Sequence, residues 1–75
     1  MKNKVKTIKD KLIEIYGEVF QIYSFELKAE DNYIVFEINN EYTTWCIDEF
    51  EKDIDTELDD IYNYVCDTID EMIGL

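Results

Sequence analysis

The sequence predicts an α+β domain of order α-β-β-β-α, a three-stranded antiparallel meander with two helices packed on it. Three observations predict it. Apolar residues recur every three or four positions at the start of the chain, alternate every second position through the middle, and return to three or four in the last third. A helix repeats its faces every 3.6 residues and a strand every two, so each change of period marks a change of element.

Val5, Ile8, Leu12, Ile15 or Tyr16, and Val19 form the first stripe. It predicts a helix over about residues 3–16, ended by Gly17, a residue that accepts the left-handed conformation common at helix C-termini. The alternation begins at Val19. Tyr23, Phe25 and Leu27 point one way, and Ser24, Glu26 and Lys28 the other. Ala29-Glu30-Asp31-Asn32 is a polar break. Ile34, Phe36 and Ile38 then alternate with Tyr33, Val35 and Glu37. Asn39-Asn40-Glu41 is a second break, suited to a tight hairpin because Asn tolerates positive φ. Thr43, Trp45 and Ile47 alternate with Tyr42, Thr44 and Cys46. A tip at Asn40-Glu41 pairs Ile38 with Thr43, Phe36 with Trp45 and Ile34 with Ile47, which puts every apolar pair on one face. A tip at Asn39-Asn40 keeps the same parity.

The second helix is expected from near Asp48, where Asp48 and Glu51 resemble a capping pair. Thr56 with Asp59 is a weaker start signal and would allow a break near Asp55. Phe50, Ile54, Leu58, Ile61, Val65, Ile69 and Met72 supply its core stripe.

Seventy-five residues make one domain, 1–75, with a small core. Hydrophobic residues make up 47% and aromatics 15%, which excludes a disordered acidic tail. The formal net charge is −12, from 19 acids and 7 bases. Residues 1–13 carry five lysines against Asp10, a net of +4, and the rest carries Lys28 and Lys52 against 18 acids, a net of −16. Every base is Lys. Without Arg the planar fork for bidentate phosphate or guanine contacts is missing, so direct nucleic-acid binding is disfavoured.

Enzyme chemistry is not expected. There is no His to act as a neutral-pH acid or base. Ser24 is the only serine and has no visible base. Gly17 and Gly74 cannot make a phosphate loop. Asp53, Asp55 and Glu57 resemble the start of a calcium loop, but Leu58 replaces its glycine and Tyr64 its final glutamate. Cys46 and Cys66 fit no metal spacing and are read as reduced structural thiols. No cofactor is expected. No apolar run approaches the ~20 residues of a membrane span, and the expected compartment is the cytoplasm.

The functional signal is acidic. Eleven carboxylates lie between Asp48 and Glu71, interrupted by Lys52 alone. Removing the core stripe leaves Asp53, Glu57, Asp60, Asp67 and Glu71 in line, with Tyr64 among them. Neighbours three or four residues apart sit ~5–6 Å apart along a helix axis. Like charges at that spacing each cost roughly 0.2–0.5 kcal/mol, and ordinary surfaces mix both signs. The line is therefore the expected contact for a basic nucleic-acid-binding protein. A second candidate interface is the other sheet face, where Phe20, Ile22, Tyr33 and Val35 are expected to stand exposed beside Tyr42 and Cys46.

In size, α-β-β-β-α outline and the acids of Asp48–Glu71, the chain resembles the small acidic inhibitors of phages, including anti-CRISPR proteins that mimic DNA. The resemblance implies an inhibitor that blocks a cationic groove through protein–protein contact, with a nuclease or CRISPR effector as its target. Two alternatives stand beside it: an immunity protein or antitoxin that neutralises a basic toxin with the same acids, and a homodimeric structural or regulatory domain whose acids only keep it soluble.

Charge alone generates one prediction. Repulsion from phosphates and the absence of Arg leave no useful affinity for DNA or RNA. A mobility-shift assay at micromolar protein in ~150 mM salt, where phosphate contacts are already screened, should show no complex.

Overall fold

The computed structural model describes residues 2–46 and 54–74. In chain order they form α1 (Lys2–Tyr16), a 3-10 turn (Val19–Gln21), β1 (Phe25–Glu30), β2 (Tyr33–Ile38), β3 (Glu41–Cys46) and α2 (Ile54–Ile73). The strands make one antiparallel sheet in the order β1-β2-β3. The expected helix start at Asp48, its capping pair with Glu51, the core positions Ile47 and Phe50, and the acid Asp53 lie outside the described residues. The described part of α2 begins at Ile54 and takes in Asp55 and Thr56 in its first turn; whether the helix breaks near Asp55 lies with the residues outside the described ones.

One face of the sheet carries the core. Leu27 from β1 and Ile34, Phe36 and Ile38 from β2 are buried against Val5 and Leu12 of α1 and Leu58, Ile61, Val65 and Ile69 of α2. Full burial of such side chains stabilises by roughly 1.5–3 kcal/mol each. The choice between Ile15 and Tyr16 falls to Tyr16, which packs against this cluster, whereas Ile15 is exposed.

The two helices run parallel, side by side. Lys4 near the start of α1 meets Asp55 near the start of α2, and Tyr16 at the end of α1 meets Asp70 towards the end of α2. Helix α1 lies over the outer edge of β1. There Glu26 Oε1 accepts from Lys9 Nζ at 2.6 Å and from the Leu27 N–H at 3.0 Å. One carboxylate thus ties the helix to the strand and satisfies a donor that β2 cannot reach. The Lys9 hydrogen bond holds the Glu26 carboxyl below its usual range.

Three expectations need correction. The first strand begins at Phe25, not Val19. Residues 19–21 turn as a 3-10 helix, closed by the Ile22 N–H donating to the Val19 carbonyl. Phe20 is then carried to the core side, where its ring stacks on Phe25 with centroids 3.9 Å apart and planes 3° from parallel. Such an offset aromatic pair contributes about 0.5–1.5 kcal/mol beyond its buried area. Gly17 does not adopt positive φ. Its requirement is steric, because a Cβ there would lie 2.8 Å from the Ile13 carbonyl oxygen.

The second hairpin takes the Asn39-Asn40 tip, so Ile38 faces Glu41, Phe36 faces Thr43 and Ile34 faces Trp45. Both tip residues have positive φ, 51° and 69°. That is the backbone of the two-residue turn whose twist matches the strands, and Asn supplies it at modest strain. The Asn40 N–H also donates to Glu37 Oε2 at 2.9 Å. A tip at Asn40-Glu41 would place Glu41 in the turn, where its longer side chain tolerates positive φ less well.

The tip generates a stability prediction. Asn40→Gly removes the remaining left-handed strain and should raise stability by about 0.5–1 kcal/mol. Asn40→Val places a β-branched residue at positive φ and should lower it by more than ~1 kcal/mol. Urea denaturation of the three proteins reads both changes.

Candidate functional site

Helix α2 presents two polar flanks on either side of its core stripe, and the structure treats them differently. The first faces α1. Lys4 Nζ pairs with Asp55 at 2.6 Å, the Lys11 ammonium sits 5.3 Å from the centre of the Tyr62 ring, and the Tyr16 hydroxyl donates to Asp70 Oδ1 at 3.0 Å. Two lysines of the first helix therefore meet an acid and a ring of the second. Tyr62, half-buried, packs at the edge of the core.

The Tyr16 phenol is the most perturbed group in this seam. Burial raises its pKa well above the usual tyrosine value, and the Asp70 carboxylate and Cys66 add to the rise. Both partners favour the neutral hydroxyl, which can donate, over a phenolate that would face a carboxylate. Tyr62 is shifted upward as well, first by burial and then by Cys66.

The second flank faces β3. Tyr64 marks its position: its ring meets Trp45 edge-on, with centroids 5.4 Å apart, and meets Phe36 at 6.5 Å. Glu57 and Glu71 lie seven residues before and after Tyr64, hence two helical turns away on the same flank. Asp60 and Asp67 lie one step further round, on the shoulder turned away from the sheet. Towards the C-terminal end, Thr68, Glu71 and Met72 line a shallow groove with Ile38, Asn39 and Glu41 of the second hairpin. Glu41 thus joins the acids of this flank.

Among the described residues no lysine pairs with Asp60, Asp67 or Glu71; the three ion pairs join Lys4 to Asp55, Lys9 to Glu26 and Lys28 to Glu30. Asp60, Asp67 and Glu71 are exposed and Glu57 is half-buried. The structure therefore brings together Glu57, Asp60, Tyr64, Asp67 and Glu71, while Asp53 lies outside the described residues. The row runs along the β3 side rather than straight opposite the core. Two contributors were missed from sequence: Glu41, whose role depends on the hairpin register, and Trp45, which was assigned wholly to the core. Trp45 is half-buried and, with Tyr64, makes an aromatic step at the sheet edge.

The second candidate interface is only partly assembled. Tyr33 and Val35 share the open sheet face with Tyr42, Thr44 and Cys46, as alternation requires. Phe20 stacks on Phe25 on the other side, and Ile22 is 77% exposed in the turn before β1. The open face is also more polar than expected. Lys28 pairs with Glu30 at 2.8 Å, the Tyr33 hydroxyl donates to Glu30, and the Ser24 hydroxyl donates to Glu37 at 2.7 Å. Glu30 raises the pKa of Tyr33 and of Lys28.

Cys46 is an exposed free thiol on this face, and Cys66 is a half-buried free thiol near Tyr16 and Tyr62. Among the described residues no three acids or thiols converge as a metal site. No described helix is long and apolar enough to cross a membrane. Comparison with protein-family models, with curated proteins and with solved structures finds no match to this chain.

The Tyr16–Asp70 contact generates a pH prediction. A raised folded-state pKa contributes stability that is fully present below the ordinary tyrosine value near 10 and is lost as pH rises beyond it. Tyr16→Phe should cost about 1 kcal/mol at pH 7, by removing one hydrogen bond. From pH 10 upward the variant should lose less stability than the native protein, and denaturant titrations at pH 7, 10 and 11 would show the two curves converging.

Proposed function

We propose that the protein is a binding module, not an enzyme, that inhibits a nucleic-acid-binding protein by occupying its cationic groove. The carboxylates of Glu57, Asp60, Asp67 and Glu71, extended by Glu41, stand in for phosphates. One observation carries the reading: the described ion pairs lie on the α1 side and along β1, and Asp60, Asp67 and Glu71 have no basic partner among the described residues. A net charge of −12 with its positive part on one helix gives the molecule a directional field. Such a field steers a basic partner towards the acidic flank and raises the association rate.

Electrostatic attraction in water is weak at long range and screened by salt, so lasting contact requires desolvated area. Tyr64, 46% exposed, and the half-buried Trp45 supply it in the middle of the row. Aromatic anchors surrounded by charge are a common arrangement in protein interfaces. The helix holds the carboxylates at fixed spacing, so less side-chain and backbone order must be gained on binding.

An immunity protein acting on a basic toxin would use the same acids, and competition separates the two readings. A partner held through its nucleic-acid groove is released by duplex DNA, whereas one held elsewhere is not. The central test is the triple variant Asp60→Asn, Asp67→Asn, Glu71→Gln. All three side chains are exposed, so the fold should persist, and relief of like-charge repulsion should stabilise it slightly. Each close charge pair lost at an interface costs about 1.5 kcal/mol or more, so affinity for a captured basic partner should fall at least about a hundredfold. Native binding should weaken with salt more steeply than variant binding. Equal affinity of native and variant protein, measured by titration calorimetry in 50 and 150 mM salt, would refute the groove-occupying role.

A further inference from the structure

The two outer edges of the sheet are built differently. The β1 edge is closed: α1 lies over it, and Glu26 accepts the outward Leu27 N–H while gripping Lys9. The β3 edge has no comparable cover among the described residues. Its phase follows from the register. Ile38 and Glu41 flank the two-residue turn and exchange ladder hydrogen bonds, so alternation directs the N–H and C=O of Tyr42, Thr44 and Cys46 away from β2. The same rule places the Leu27 N–H on the outer edge of β1, where Glu26 receives it. Tyr42, Thr44 and Cys46 are all exposed.

Edge strands are normally protected by Lys, by Pro, by a bulge or by a covering element. The β3 sequence, Glu41-Tyr42-Thr43-Thr44-Trp45-Cys46, has neither Lys nor Pro, pairs with β2 without a bulge, and is rich in β-branched and aromatic residues. It is a six-residue template for another strand.

Charge decides what that strand can be. A strand added beside β3 would lie ~4.8 Å further out, beneath the flank of α2 marked by Tyr64. Its side chains on that face would meet Glu41, Glu57 and Glu71. Those on the other face would lie beside Tyr42, Thr44 and Cys46. A second copy of this chain would bring another net charge of −12 and a second row of the same acids to the seam. We infer that the open β3 edge receives an extended cationic segment of the partner as a fourth strand, with Lys or Arg on the face towards α2 and apolar residues on the other. The inference rests on the cationic-partner reading and adds its mode of recognition: ladder hydrogen bonds hold the segment, and alternate side chains select it.

The probe is a ten-residue peptide of alternating Lys and Val, used with the intact protein in ~50 mM salt, where exposed charges are weakly screened. Three comparators isolate the contributions. One is the same peptide methylated at every backbone nitrogen, which keeps the charge and removes the ladder. Another alternates Glu and Val. The third is the protein variant Thr44→Pro, which deletes an outward N–H and leaves the bonds to β2 intact. The lysine peptide should slow amide exchange at Tyr42, Thr44 and Cys46. It should bind about tenfold or more tightly than its methylated form and than the Thr44→Pro protein allows. The glutamate peptide should not bind.

Equal binding of the two lysine peptides, lost in the triple acid variant, would overturn the fourth-strand inference and leave the cationic-partner reading standing. Failure of both lysine peptides to bind would overturn it too, with the groove reading then judged by DNA competition alone. Protection of the three amides in the free protein at rising concentration would assign the edge to a second copy and overturn the cationic occupant. If Thr44→Pro does not fold, the methylated peptide gives the same comparison on the native protein.

Discussion

The seam between α1 and α2 sets which flank of the acidic helix the basic helix covers. Five of its lysines precede residue 12, and three of them are committed to contacts: Lys4 with Asp55, Lys9 with Glu26 and Lys11 with Tyr62. Among the described residues only Lys4 pairs with an acid of α2, near its start, while Lys11 meets the Tyr62 ring and Lys9 turns to Glu26 of β1. On the other side of α2, Asp60, Asp67 and Glu71 have no basic partner among the described residues. This separation of charge is a by-product of packing the basic helix against one flank. It requires only that the positive charge of the chain be gathered in one element and that this element have a fixed place.

That arrangement carries an internal conflict. Parallel helices set like ends of their dipoles together, and α1 starts with lysines where an acid would be favourable. Asp55 and Glu57 in the first turn of α2 suit their own helix start, and Asp55 also brings negative charge beside Lys4. The exposed Lys4–Asp55 pair itself contributes little in water, where such pairs are worth roughly 0–1 kcal/mol. Its value lies in geometry: it fixes which flank of α2 is turned inward, while the buried residues Leu58, Ile61, Val65 and Ile69 hold the helix there.

Periodicity made the architecture legible because the core lies on one side of the sheet and one stripe of each helix. The same regularity misled at residues 19–22, where Val19, Phe20 and Ile22 fit an alternating pattern as well as a turn. The stacking of Phe20 on Phe25 is a tertiary contact, and no local pattern announces it. The hairpin register was ambiguous because a shift of two residues preserves every face assignment. What decided it was the tolerance of Asn39 and Asn40 for positive φ, a backbone preference invisible to hydrophobic counting. The acidic row was legible from helical spacing alone. Its neighbours Glu41 and Trp45 were not, since their place depends on which tip the hairpin adopts.

The seam also bears on how the chain finds its structure. Lys4 meets Asp55 across 51 positions and Tyr16 meets Asp70 across 54, whereas each hairpin closes over a two-residue tip. Loop-closure entropy grows by about 0.6 kcal/mol per doubling of length, so joining the helices directly costs roughly 2 kcal/mol more than closing a four-residue turn. The meander removes most of that difference by folding the intervening chain into short, local pairs first. On this arithmetic the hairpins and the contact of α1 with β1 are the cheaper ones to close, and the α1–α2 seam, which sets the two helices side by side, is the most costly in chain entropy.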